Sequence, residues 1–433
     1  MKPNLLSGIA IAATILFNIN TASAQQQVAK ENAITIGKKE ISAFSTTNYK
    51  AFKVAVAPLI KQMGAKKVVG LGEGTHGTAE FYKIRFWISR ILIEDYGFTY
   101  IAFENDLSDV WLLNQQLSTT NNLNTLMKNH LMSIWQNEET KEMLAWVKKY
   151  NADHKKKVII SGIDYPLLKP DVDMLLAVLA KANNQAMLSA ANGLLKAAAL
   201  QDEAWIGMND KAYKANMKAV LAGSKKGYVT TDSLEKQVQS SNFPTLLKAE
   251  AQLALANLKQ GFAPFYGMVE EAERDSLMAH NAALILKGSN DKMIVWAHNA
   301  HLGKVKIYGG AVGGTGDYLL KLFPNNYFAL GTGTANGTFA GTVDKRPTNS
   351  NPMITNTLEK PIKDSWEELF SATGVPNFYF STSTTKFKQT IKPLRFIGFG
   401  TNSDASTYDK SNLNKLFDAF LFIKDTNAPT PLK

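Results

Sequence analysis

The chain has 433 residues, 45% hydrophobic and 20% charged, which is ample for a large buried core. It has no cysteine, so thiolate nucleophiles, disulfides and cysteine-based zinc sites are excluded. The formal net charge is +11, but the lysines are scattered without interleaved arginines and aromatics, which argues against nucleic acid as a partner.

The first residues carry one lysine, then an apolar run from Leu5 to Phe17, then Ala22-Ser23-Ala24. That is the pattern of a secretory signal cleaved after Ala24. The run is too short for a comfortable membrane span, so no stable membrane insertion is expected after cleavage, and the location expected is periplasmic or secreted. Residues 25–45 read as a polar, flexible N-terminal arm.

From about residue 46 the pattern becomes regular. Residues 49–63 space their apolar side chains like a helix. Residues 66–73 are a short, β-branched, buried type of strand. Residues 78–97 form a helix whose stripe is Phe81, Ile84, Ile88 and Leu92, closed by Gly97. Residues 98–105 are a second strand, and the long crossover makes the two a parallel pair. A helix before residue 154 and the strand 156–164 repeat the unit. Residues 170–288 then read almost wholly as helix. The sheet pattern resumes at 292–303 and continues through candidate strands in 326–341, 377–382, 394–400 and 417–424. The fold class expected is α/β, with a mostly parallel sheet flanked by helices. Residues 46–169 and 289–433 would form the core, and 170–288 a helical insertion capping an active-site cleft.

Polar residues end the strands. Glu73 and His76 follow the first, Glu104 ends the second, Asp164 the third, and His298 with His301 the strand after the insertion. Parallel sheets bind ligands outside the carboxyl ends of their strands, so these groups should collect at one edge. They include three of the six histidines. Arg85 lies on the core stripe of its helix, where a charge needs a carboxylate partner, and Glu73 or Glu104 would serve. Arg274 and Asp275 stand where the insertion returns to the sheet. His130 and His154 read as surface residues, and His280 as structural.

The stretch GLGEGTHG (70–77) is no phosphate cradle, because Glu73 brings the wrong charge and no Lys-Ser/Thr follows. No G-x-S-x-G is present, which argues against a serine hydrolase. Two chemistries remain open on spacing alone. One is a metal hydrolase with His and carboxylate ligands. The other is metal-free, with His76 as general base on water. A non-enzymatic protein that binds a small ligand is a third possibility.

Taken together, LGEGTHGTAEFYKIRF, IAFEND, SGIDY, ERDSLMAHN and VWAHNAHLG, in this order and spacing over roughly residues 45–320, resemble the erythromycin esterase family. The resemblance implies a sheet-based core, a mostly helical second part and a deep cleft between. It implies opening of the lactone ester of a macrocyclic antibiotic, hence macrolide resistance, with a small-molecule ester as partner and no metal or other cofactor. It places the general base on His76, acidic positions on Glu73 and Glu104, the arginine on Arg85 and the late histidines on His298 and His301. On that reading Glu73 or Glu104 orients His76, Arg85 keeps the carboxylates ionised, and His298 or His301 stabilises the oxyanion or protonates the leaving alcohol. Asp164 and Arg274 are expected to contact substrate.

Overall fold

A computed structural model describes residues 34–433 apart from 166, 267–273 and 287. The expected signal segment 1–24 and arm residues 25–33 lie outside the described residues, as does Glu273 of the ERDSLMAHN motif. A two-residue strand β1 (Ser42–Ala43) precedes helices α1 (Tyr49–Ala55) and α2 (Ala57–Gly64). Then come β2 (Val68–Glu73), α3 (Ala79–Tyr96), β3 (Tyr100–Asp106), α4 (Leu107–Leu117), α5 (Leu123–His130), α6 (Glu138–Asp153) and β4 (Ile159–Asp164). The helical stretch comprises α7 (Lys169–Lys181), α8 (Gln185–Asn192), α9 (Leu195–Gly207), α10 (Met217–Ser240), α11 (Thr245–Tyr266) and α12 (Arg274–Ile285). The chain continues with β5 (Met293–His298), α13 (Asn299–Leu302), α14 (Thr315–Leu322), β6 (Tyr327–Gly341), β7 (Ile354–Thr357), α15 (Trp366–Ser371) and β8 (Asn377–Ser381). It ends with α16 (Thr385–Gln389), β9 (Lys392–Arg395), β10 (Tyr408–Ser411), α17 (Leu413–Leu416) and β11 (Ala419–Thr426).

The main sheet runs β1-β8-β11-β6-β2-β5-β3-β4, with β7 paired to β6. From β11 to β4 every pairing is parallel, while β1, β7 and β8 pair antiparallel. The α/β class and mostly parallel sheet are as the sequence indicates. All six residues of β2 and all six of β5 are buried, which is why both read as unbroken apolar runs.

Three local expectations change. β2 and β3 do not pair with each other, because β5 lies between them and bonds both. A long crossover fixes strand direction but not adjacency, so α3 can span a slot one strand wide. The helix expected over 49–63 is broken at Val56 (φ −89°, ψ 1°), just before Pro58 in the first turn of α2. Proline lacks the N–H and clashes with the preceding turn. Of the strand expected over 394–400, only Leu394 and Arg395 are in one, paired with β10 in a separate two-stranded sheet. Ile397 instead makes a single parallel bridge to Thr75.

Helices α7 to α11 pack around Val172, Leu175, Leu179, Leu234, Leu255 and Phe262, and the same cluster takes in Leu107 of α4. The helical stretch is thereby joined through an apolar contact to α4, the helix that follows β3. Asp202 on α9 accepts the Leu168 and Lys169 N–H groups at 2.8 and 2.7 Å, which satisfies otherwise orphaned donors at the start of α7.

The exit from β2 is tight. Gly77 has φ +64°, and a Cβ there would lie 2.1 Å from the Ala340 carbonyl oxygen. Gly77→Ala should therefore cost about 1–3 kcal/mol in backbone strain alone, plus the overlap. A thermal melt checks this, and an unchanged Tm would show that the turn can relax.

Candidate active site

Glu73, the last residue of β2, is fully buried. Its Oε2 accepts from Arg85 Nη2 at 2.8 Å, and its Oε1 lies 2.7 Å from His76 Nδ1. Arg85, on α3, is 1% exposed. Its guanidinium stands 5.1, 5.3 and 4.8 Å from the ring centres of Tyr82, Trp135 and Trp296. A buried cation is tolerated there because one side meets a carboxylate and the others meet aromatic faces. An ionised carboxylate can only accept, so His76 must carry its proton on Nδ1. In a neutral imidazole that leaves the lone pair on Nε2.

The His76 loop is held from three directions. The His76 N–H donates to the Ile397 carbonyl and the Ile397 N–H to the Gly74 carbonyl, each at 2.9 Å. The Gly77 N–H donates to Tyr82 Oη at 3.1 Å, and that hydroxyl donates to the Ile134 carbonyl. Just beyond, the Ala79 N–H at the start of α3 donates to the Asn427 carbonyl at 2.9 Å.

Glu104, near the end of β3, is the second centre. Its Oε2 accepts the His298 backbone N–H at 2.8 Å. Its Oε1 accepts from Arg274 Nη2 at 3.1 Å and lies 3.2 Å from His301 Nε2. Burial opposes its charge, but His301, His76 and Arg274 outweigh it and hold the carboxyl well below its usual range. His76 Nε2 stands 4.0 Å from Glu104 Oε2, beyond hydrogen-bond reach. Glu73, not Glu104, is thus the partner that orients His76.

The two late histidines differ in charge. His298 ends β5 and caps α13, its Nδ1 accepting the Ala300 N–H at 3.3 Å. Burial, with His76 beside it, holds its pKa well below the ordinary histidine value, so it is neutral. Its proton therefore sits on Nε2. The ring lies beside the Gly74 backbone, but Nε2 makes no hydrogen bond of normal geometry. His76 and His298 stand ring to ring, with centroids 4.7 Å apart. His301 contacts Asp275 Oδ1 through Nδ1 at 2.7 Å. Burial works against its charge, yet Glu104 and Asp275 push its pKa up to about 10, so it is an imidazolium. Asp275 is fixed by the Thr315 N–H at 3.0 Å and hydroxyl at 2.6 Å.

Arg274, the first residue of α12, reaches the site. Nε donates to both oxygens of Asp164 at 3.0 and 3.1 Å, and Nη2 donates to Asp164 as well. Nη1 lies 3.2 Å from His301 Nε2, a contact between two cations that the shared carboxylates make tolerable. Asp164 is 1% exposed, and its carboxylate is taken up by Arg274.

His76, Glu104, Asp164, Arg274, His298 and His301 line one cavity of about 1090 Å³, with Trp135, Leu277, Phe396 and Phe399 among its apolar walls. Glu73 and Arg85 lie behind His76. All eight residues singled out in the sequence therefore come together. The sequence reading left Thr315 and Ile397 out, since a threonine in a glycine-rich loop and an isoleucine in a strand-like run carry no signal of such roles. His130, expected at the surface, is largely buried against Asp109 at 3.3 Å, while His280 is exposed and bonds to the Ser276 carbonyl of its own helix. Among the described residues no three His, Asp or Glu side chains are arranged to hold a metal ion.

A buried histidine held by a carboxylate faces a wide cavity at the carboxyl edge of a parallel sheet, the place where an α/β enzyme binds its ligand. The chain belongs to the erythromycin esterase family, whose model matches residues 93–426. It is an ester hydrolase. The matched span takes in Glu104, Asp164, Arg274, His298 and His301, and Glu73, His76 and Arg85 precede it. The chain is 27% identical to erythromycin esterase type II of Escherichia coli over 419 residues, covering 88% of this chain and 94% of that one. It is 22% identical over 363 residues to the putative hydrolase YbfO of Bacillus subtilis (strain 168), covering 76% and 77%. A crystal structure described as a succinoglycan biosynthesis protein shares the fold at TM-score 0.75 and 20% identity, covering 95% of this chain and 99% of that one. A mutant of the erythromycin esterase EreC in its open conformation does so at TM-score 0.66 and 18% identity, covering 90% and 98%.

Two outcomes test this electrostatic layout. Arg85→Met strands the Glu73 charge in the core and should destabilise by about 3–5 kcal/mol in urea unfolding. A loss under about 1 kcal/mol would mean that Glu73 is not held ionised by Arg85. For His301 the folded pKa lies above the ordinary 6.5, so protonation favours the fold. Its contribution is complete below about pH 6.5 and is lost as pH climbs through about 10. Urea midpoints measured from pH 6 to 10 should fall more steeply for the native chain than for His301→Gln, and parallel curves would refute the assignment.

Proposed function

We propose that this esterase opens a macrolide lactone by metal-free general-base catalysis, with His76 as the base. The observation that carries the reading is the Arg85–Glu73–His76 chain, which ends at His76 Nε2 on the cavity wall. Nε2 takes a proton from water, and the hydroxide attacks the ester carbonyl. Glu73 fixes the tautomer and stabilises the imidazolium that forms, as an oriented carboxylate does in other histidine sites. His298, whose ring lines the cavity beside His76, turns its Nε2–H to the developing oxyanion once substrate is bound. His301, charged at neutral pH, can supply the proton that the leaving alkoxide needs.

The cavity volume and its apolar walls suit a bulky ester, and relatives named erythromycin esterase support the macrolide substrate and a role in resistance. The signal-like residues 1–24 support action outside the cytoplasm, periplasmic or secreted. Among the described residues no helix is long and apolar enough to cross a membrane.

A panel of macrolides and simple esters, followed by mass spectrometry for the gain of one water, identifies the substrate. On that substrate His76→Ala should lose about 10²- to 10⁴-fold in kcat with an unchanged melting curve. Native-like turnover by this variant would sink the mechanism, as would activity abolished by a chelator and restored by zinc or manganese.

A further inference from the structure

The loop between α13 and α14 holds a tyrosine in a conformation that its side chain resists. Tyr308, Gly309 and Gly310 have φ of +51°, +66° and +96° in succession. Glycine adopts such angles freely, whereas the Cβ of an L-residue crowds the backbone carbonyl there. The two glycines serve the backbone path alone, since a Cβ on either would meet nothing within 4 Å. The foot of the loop is fixed. Ile307 and Val312 each donate an N–H to the other's carbonyl, at 2.9 and 3.3 Å, and Ile307 is buried. A glycine or asparagine at 308 would fit this turn with less strain. A bulky residue kept at a strained position beside a cavity points to work for its side chain there.

Tyr308 lines the cavity, as do Val312 at the foot of the same loop and Phe396. Its ring meets Phe396 edge to face with centroids 6.3 Å apart, and Phe396 meets His298 in the same way at 6.2 Å. An aromatic wall therefore runs from the paired rings of His76 and His298 to Tyr308. The phenol is protonated at neutral pH, because partial burial, with Asp409 nearby, pushes its pKa up to about 12. Among the described residues its hydroxyl has no hydrogen-bond partner. It is thus an O–H donor at the cavity wall for which the protein supplies no acceptor.

We infer that Tyr308 is a specificity residue for bulky esters. It packs its ring against the part of the substrate that lies beyond Phe396 from the scissile bond, and it donates its hydroxyl to an oxygen there. The turn holds the ring in one place, so this part of the site is formed before substrate arrives. A macrocyclic lactone extends from His76 along the wall to Tyr308, and a small ester does not. The inference rests on the macrolide reading and deepens it by naming a residue that selects for size.

Erythromycin and para-nitrophenyl acetate serve as the large and the small ester, and Tyr308→Gly and Tyr308→Phe are compared with the native chain. Tyr308→Gly should melt no lower than the native chain, because glycine accepts the turn. It should lose about 10- to 100-fold in kcat/KM on erythromycin, chiefly through KM, and far less on the acetate ester. Tyr308→Phe keeps the ring and should lose only the share of the hydroxyl, about two- to tenfold, again on erythromycin. Equal losses on the two esters would mark a merely structural role and overturn the inference, as would native kinetics of both variants on erythromycin. Either result leaves macrolide hydrolysis standing. If Tyr308→Gly does not fold, Tyr308→Phe decides by the same ratio of losses. A native chain that hydrolyses the acetate ester but not erythromycin overturns the macrolide reading and the inference with it, and one that hydrolyses neither overturns the esterase mechanism as well.

Discussion

The buried pair of Glu73 and Arg85 is the interaction on which the rest of the site depends. Taking two charges out of water costs several kcal/mol per ion, and apolar residues of similar size would fill the same space more cheaply. The pair gives something apolar packing cannot, an ionised acceptor at a fixed point beneath His76. Each partner is placed by the backbone. Glu73 ends a strand bonded on both sides, and Arg85 lies one turn after Phe81 on the buried face of α3.

Two of the three imidazoles at one sheet edge are pushed to opposite protonation states by their surroundings. His298, buried with another imidazole for company, stays neutral. His301 has a carboxylate on each ring nitrogen and stays charged. His76 has one carboxylate and one free nitrogen facing the cavity. Perturbed groups of opposite sense at one site are what acid–base chemistry near neutral pH requires. They are brought together because β5 lies between β2 and β3, which puts the end of β5 level with Glu73 and within reach of Glu104.

Much of this was legible in the sequence, for a physical reason. A polar residue that ends an apolar strand stands out, so Glu73, Glu104, Asp164 and His298 were visible, and Arg85 was exposed by its place on an apolar stripe. What stayed hidden depends on contacts far apart in the chain. Whether Glu73 or Glu104 holds His76 turns on the path of a few loop residues. The insertion of β5 between two strands joined by one helix leaves no periodic trace. Short strands such as β7 and β10 are mostly polar, and β7 is largely exposed, so they lack the apolar runs that mark a strand, and no element was assigned to α4 and α5.

The bridge between the His76 loop and Ile397 has a consequence for how activity is acquired. The base sits in the first fifth of the chain, yet its loop is closed by Ile397, and the helix behind it is tied to Asn427. Contacts of such long sequence separation form late, because the entropy of closing large loops must be lost first. A chain that has folded only around Glu73, His76 and Arg85 therefore has the chemistry without the geometry. The His76 loop is closed only once the segment around Ile397 has folded against it.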